Sequence, residues 1–161
     1  MANHVRFGYD PKTDDYKVVK LTRILQPPGM IWQVEVYSMK KGSWEFIIQT
    51  FPLHLTQISD LDDETCADGH LHWLCYCDDL EQKQETIVAF DLGVDTFNEI
   101  LFQVLYFITN HHGSRFNYLG VLAGKLCVMS CVDHGECEVW VMDEYGVAES
   151  WVKQTSCVFP V

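Results

Sequence analysis

Short runs of apolar and β-favouring residues separated by polar, Gly- and Pro-containing turns dominate this chain, and the 3.6-residue periodicity of an amphipathic helix is absent. The clearest stretch is Val34-Glu35-Val36-Tyr37-Ser38-Met39, after which Lys40-Lys41-Gly42-Ser43 turns and Trp44-Glu45-Phe46-Ile47-Ile48 returns as a hairpin partner. Upstream, Phe7-Gly8-Tyr9-Asp10 and Tyr16-Lys17-Val18-Val19-Lys20-Leu21 flank a Pro/Asp turn, and Gln26-Pro27-Pro28-Gly29 breaks the chain. A polar loop from His54 to Glu64 leads to strands at 71–76 and 87–92, separated by a charged loop at 78–85. Gly93-Val94-Asp95-Thr96 then turns into Phe97-Asn98-Glu99-Ile100-Leu101. The last third repeats the order, with strand signal over 119–131, a loop at 133–136, a strand at 138–142, a turn near Glu144-Tyr145-Gly146 and a strand at 150–153. These elements predict an all-β chain with no helix and no linker dividing it.

The same unit returns three times. Gly69-His70-Leu71-His72-Trp73-Leu74 is answered by Gly124-Lys125-Leu126-Cys127-Val128-Met129, and an earlier copy starts at Tyr16. Each unit closes on an aromatic residue, and those residues, Trp44, Phe97 and Trp151, stand 53 and 54 residues apart. A period of that size suits a kelch-type propeller, in which one small β-sheet is one repeat. Such a repeat points to a binding scaffold before it points to a reaction.

Composition narrows the partners. The 161 residues are 48% hydrophobic and 13% aromatic, enough to bury a core. The formal charge is −12, and the longest basic run is Lys40-Lys41, which argues against nucleic acid and anionic membrane as partners. No signal core or membrane-length apolar run is present; the strongest stretch, 100–108, is interrupted by Gln103. Seven cysteines, Cys66, Cys75, Cys77, Cys127, Cys131, Cys137 and Cys157, follow no disulfide-scaffold spacing, so reduced thiols in a cytoplasmic or nuclear protein are expected.

Cys66-x3-His70-x-His72-x2-Cys75-x-Cys77 has the residue types of a zinc site. On an extended strand, however, His70 and His72 point to one face and Cys75 and Cys77 to the other, so one ion cannot collect them without a bulge. The expectation is therefore no metal, with the cysteines in the core and the histidines on a half-exposed face. Gly124-Lys125 lacks the upstream glycine and the following Ser/Thr of a phosphate loop, and no Gly-x-Ser-x-Gly occurs. With no recognisable set of convergent catalytic groups, neither a catalytic residue nor a cofactor is expected, and an enzyme on a propeller scaffold is the weaker alternative. Trp44, Trp73, Trp140 and Trp151 are expected to pack between repeats.

Phe7-Gly8-Tyr9-Asp10-Pro11-Lys12-Thr13-Asp14-Asp15-Tyr16-Lys17-Val18-Val19 and Gly69-His70-Leu71-His72-Trp73-Leu74 carry a family resemblance. So do Ile87-Val88-Ala89-Phe90-Asp91-Leu92 and Glu138-Val139-Trp140-Val141-Met142-Asp143-Glu144-Tyr145-Gly146-Val147 with Ser150-Trp151. Together they resemble the plant F-box-associated domain, the kelch-like region following the F-box in proteins that include the S-locus F-box type, from residue 7 to about residue 153. The resemblance implies an incomplete kelch-like β-propeller of about three blades that recognises protein substrates for a cullin-type ubiquitin ligase. A Skp-type adaptor and the cullin would be reached only through an F-box, and none precedes residue 7. The chain is therefore expected to be a piece of a larger propeller, able to hold a target without recruiting the ligase, or else a truncated fragment serving only as an interaction scaffold. A second departure is the apolar run 100–108, expected to be a sticky surface. Variable loops between repeating strands are the expected partner-binding positions: His54, Asp62 and Asp63; Asp78, Asp79 and Glu81; His111, His112 and Arg115; Asp133 and His134. Because three blades leave open faces and edges, self-association is also expected.

Overall fold

A computed structural model describes residues 3–48, 51–59, 65–79, 82–102, 115–132 and 135–158; for 78–79 and 82–84 it describes the backbone only. The described residues form three antiparallel sheets. The first contains β1 (Asn3–Asp10), β2 (Asp15–Gln26), β3 (Gly29–Ser38) and β4 (Ser43–Phe46) in spatial order. In the second, β5 (Gln57–Ile58) and β6 (Cys66–Ala67) both pair with β7 (His70–Asp79), followed by β8 (Gln82–Asp91) and β9 (Thr96–Ile100). The third contains β10 (Arg115–Leu122), β11 (Lys125–Val132), β12 (Glu136–Met142) and β13 (Trp151–Val158). A single turn of 3₁₀-helix at Ala148–Ser150 precedes β13.

The sequence repeat is the second, third and fourth strand of each sheet. Its glycines stand where the backbone demands them: Asp68-Gly69 and Ala123-Gly124 both have positive φ at two successive positions, the geometry of a two-residue hairpin turn. Those turns fix the register that opposes Ala67 to His70 and Leu122 to Lys125.

Alternation distributes side chains to the two faces of each sheet, and the central sheet is covered on both. Leu71, Trp73, Cys75, Val88 and Phe90 pack against Val19, Leu21, Val34 and Val36 of the first sheet. Leu74, Ile87 and Ala89, on the opposite face, meet Leu119, Leu126, Val128, Met142 and Trp151 of the third. Burying each large side chain contributes about 1.5–3 kcal/mol, and two such layers are what hold the sheets together. At Gly8 the first and second sheets approach so closely that a Cβ would lie 2.8 Å from Cys66 Sγ and 2.9 Å from Leu71 Cδ2 and Leu92 Cδ1.

Several expectations are corrected. Strand signal over 119–131 resolves into the β10–β11 hairpin, and the polar loop after His54 contains β5. The charged loop at 78–85 is much shorter, because β7 and β8 keep pairing out to Asp79 and Gln82. Cys131 and Cys137 are joined by a disulfide, since they sit directly opposite each other on β11 and β12 with Cα atoms 4.1 Å apart. Cys66, Cys75, Cys77, Cys127 and Cys157 are free thiols. Trp44 is half-exposed on the outward face of the first sheet instead of packing between sheets, whereas Trp73 and Trp151 are buried between them. From the apolar run, Ile100 and Phe102 are buried, with Phe102 edge-on to Trp151 at 4.6 Å; residues 103–108 lie outside the described residues.

Candidate recognition surface

Strand direction sorts the connections to two ends of the sheet stack. Connections near 10–15, 38–43, 67–70, 91–96, 122–125 and 142–151 gather at one end, the turn end, and most are tight. Those at 26–29, 46–57, 79–82, 100–115 and 132–136 gather at the other, the loop end.

The turn end is a fastening network. Asp10 accepts hydrogen bonds from the backbone N–H of Lys12 and Thr13, each at 3.1 Å, and from the Thr13 hydroxyl at 2.5 Å. Burial works to raise the Asp10 carboxyl, but these donors hold it below its ordinary value. Asp15 is likewise held low, first by the Ser38 hydroxyl and then by the Lys40 backbone N–H. Lys17 crosses from the first sheet to the second, donating to the Leu92 carbonyl at 2.5 Å and to Asp95 at 2.9 Å.

Between the second and third sheets, His72 is fully buried and its two ring nitrogens are both engaged. Nδ1 lies 3.3 Å from the Thr65 carbonyl, which can only accept, so Nδ1 carries the proton; Nε2 then accepts from the Tyr145 hydroxyl at 2.8 Å. Burial pushes the imidazole down to about 4 and pushes the Tyr145 phenol up. His70 sets Nε2 3.3 Å from Asp91 and lays its ring 4.7 Å from Tyr145. The expected half-exposed histidine face is therefore corrected for His72: the third sheet covers it. Among the described residues no three His, Cys, Asp or Glu side chains are placed to hold one metal ion.

The loop end has a different character. A pocket of about 190 Å³ is lined by Arg23, Met30, Trp32, Leu53, Leu55 and Thr56. Arg23 opposes Trp32, and Leu25 opposes Met30, so this tip of the β2–β3 hairpin presents one face towards the connection that enters the second sheet. Trp32 and Leu55 are buried, while Leu25, Met30 and Leu53 are 75%, 48% and 69% exposed. The Trp32 ring is braced by His4 and by Phe51, each with ring centroids 5.6 Å away.

Of the positions picked from sequence, His54 lies at this end, exposed and 3.2 Å from Glu99. Arg115 is a β10 strand residue, not a loop residue, with its guanidinium 3.7 Å from Glu138. The backbones of Asp78 and Asp79 close the β7–β8 hairpin at the loop end, and their side chains lie outside the description. Glu81, His111, His112, Asp133 and His134, and Asp62 and Asp63 between β5 and β6, lie outside the described residues. Sequence reasoning missed the pocket, having read Pro27-Pro28-Gly29 as a break when it is a hairpin tip. The apolar, β-favouring run Met30-Ile31-Trp32, leading straight into the alternation of 34–39, was the available signal.

Residues 2–160 match the model of the F-box associated beta propeller domain family. F-box protein CPR1 of Arabidopsis thaliana is 32% identical over 91% of this chain and 38% of its own length. A second F-box protein and an F-box/kelch-repeat protein of the same plant are each 29% identical, over 91% and 93% of this chain and 38% of their own lengths. The chain thus spans about two fifths of the length of these curated relatives.

Proposed function

The chain belongs to the F-box-associated β-propeller family, and from that premise we propose that it is a recognition module whose loop end holds a protein destined for ubiquitin transfer. One observation carries this reading: the apolar side chains exposed at the loop end surround a formed pocket, whereas polar groups at the turn end are engaged in hydrogen bonds within and between the sheets. Recognition sites normally sit on connections held by a rigid scaffold, and here the scaffold is the doubly covered central sheet. His54, Asp78, Asp79 and Glu81 belong to connections of that end, as do His111, His112, Asp133 and His134, and we assign them to its rim. We assign Asp62 and Asp63, which lie between β5 and β6 in the sequence, to the same partner surface.

On this reading the chain contributes three blades of a propeller and no chemistry of its own. Contact with a Skp-type adaptor and cullin would come through an F-box, which is not among these 161 residues. An interaction scaffold uncoupled from ubiquitin transfer uses the same surface. The test is photo-crosslinking in plant extract, with the probe at position 53 on the loop end or at position 94 on the turn end. Discrete adducts from 53 and none from 94 are expected; equal adducts from both ends would sink the assignment.

A further inference from the structure

Resting on the recognition reading, we infer that the Arg23–Trp32 pocket takes a protein segment with a large apolar side chain and a carboxylate within a residue or two of it. Three observations converge on that chemistry. The pocket's volume of about 190 Å³ falls below the ~300–1,000 Å³ usual for drug-sized ligands and cofactors, and suits one side chain. Its lining is mixed: Trp32 and Leu55 are buried apolar surfaces, Met30 and Leu53 are exposed beside them, and Arg23 and Thr56 bring polar groups to the same wall.

The third observation is charge. Lys12, Lys17, Lys20, Lys41, Lys125 and Lys153 each meet a carboxylate, and so does Arg115. Lys40 donates to the Thr13 carbonyl, and Arg6 is hydrogen-bonded as well. Among the lysines and arginines whose side chains are described, Arg23 alone makes no hydrogen bond or ion pair, and it lines the pocket. In a chain of formal charge −12, an uncompensated guanidinium beside these apolar surfaces selects for an anion that brings its own apolar anchor.

The partner geometry follows from the strand pair. Arg23 stands opposite Trp32, so a side chain seated on the indole has the guanidinium within reach of a carboxylate nearby in sequence. A planar, five-donor guanidinium can grip that carboxylate through two parallel bonds, which a neutral amide cannot reproduce.

The test measures fluorescence anisotropy of the full chain against three peptide sets that differ only beside a Leu or Phe anchor: Asp/Glu, Asn/Gln and Lys. The acidic set should bind at least about tenfold tighter than the amide set, the usual scale of one charge-assisted contact. Arg23→Glu should remove that preference and turn it towards the Lys set, while Leu53→Ser should weaken all three sets together. Leu53 is exposed and Arg23 partly so, and unchanged thermal midpoints would confirm that each variant folds. Equal affinity for acidic and amide peptides, indifference to Arg23→Glu, or no binding by any set up to millimolar concentration overturns the inference. If adducts from position 53 persist in such a case, recognition at the loop end stands and only this ligand chemistry fails; loss of both removes the recognition reading too.

Discussion

His72 makes stability depend on pH in a direction that its surroundings fix. Folded, the imidazole is neutral with its proton affinity pushed down to about 4 by burial; unfolded, it regains its ordinary value near 6.5. Between those two values the unfolded chain binds a proton that the folded chain refuses, so stability present above pH ~6.5 drains away as pH falls towards ~4, by up to about 3 kcal/mol. Chemical denaturation at pH 7, 6 and 5 should show this decline. His72→Met loses the Tyr145 hydrogen bond and is weaker at pH 7, yet the slope between pH 7 and 5 should flatten; an unchanged slope assigns the pH dependence elsewhere. Gly8 offers a second single-residue test. A methyl there meets three heavy atoms inside 3 Å, so Gly8→Ala should cost about 1–3 kcal/mol by overpacking. Gly29→Ala, with nothing within 4 Å, should not, and equal effects at the two sites would deny the close approach of the sheets.

At the scale of elements, the inter-sheet clasp is the feature most exposed to mutation. Lys17 leaves β2, is 8% exposed, and is held by the Leu92 carbonyl and Asp95 of the turn between β8 and β9. Lys17→Met strands an acceptor and a carboxylate against the first sheet, and a loss of about 1–3 kcal/mol is expected. Lys41→Met, which breaks an exposed pair with Glu45, should leave the melting temperature unchanged. Equal shifts in the two variants would mean that Lys17 is no clasp. The strands behind it were largely legible, because Gly69 and Gly124 mark two-residue turns and the short apolar runs of 87–92 and 138–142 have the length and composition of buried strands. The ends of β7 and β8 were not: beyond the core, the paired residues Asp78, Asp79, Gln82, Lys83 and Gln84 are all polar, and a solvated hairpin then has the composition of a loop. β5 and β6, two residues each, carry too few positions for alternation to show. The pocket stayed hidden for another reason. Arg23 and Trp32 meet Leu53 and Leu55 only once the first sheet lies on the second, a relation with no local trace in the sequence.

For the whole molecule the decisive quantity is apolar surface left uncovered. On the outward face of the first sheet Val5, Phe7, Tyr9 and Tyr16 are 51%, 39%, 37% and 49% exposed, and Trp44 and Phe46 are 51% and 69% exposed. The rings are already ordered against one another, Phe7 stacked on Tyr16 at 5.6 Å and Tyr37 against Trp44 at 5.3 Å. Phe116 and Val152 of the third sheet are each 47% exposed. The central sheet shows what such faces accept, since another sheet covers each of its own. Apolar patches of this kind drive association, and a second copy supplies the same surface. A charge of −12 on every copy opposes the encounter, so added salt should strengthen self-association by screening the repulsion. Sedimentation velocity across a concentration series, at low and high salt, should show a monomer giving way to larger species, with Tyr16→Lys and Trp44→Lys together restoring the monomer. A compact monomer at every concentration and salt level would mean that the outward faces are content in water.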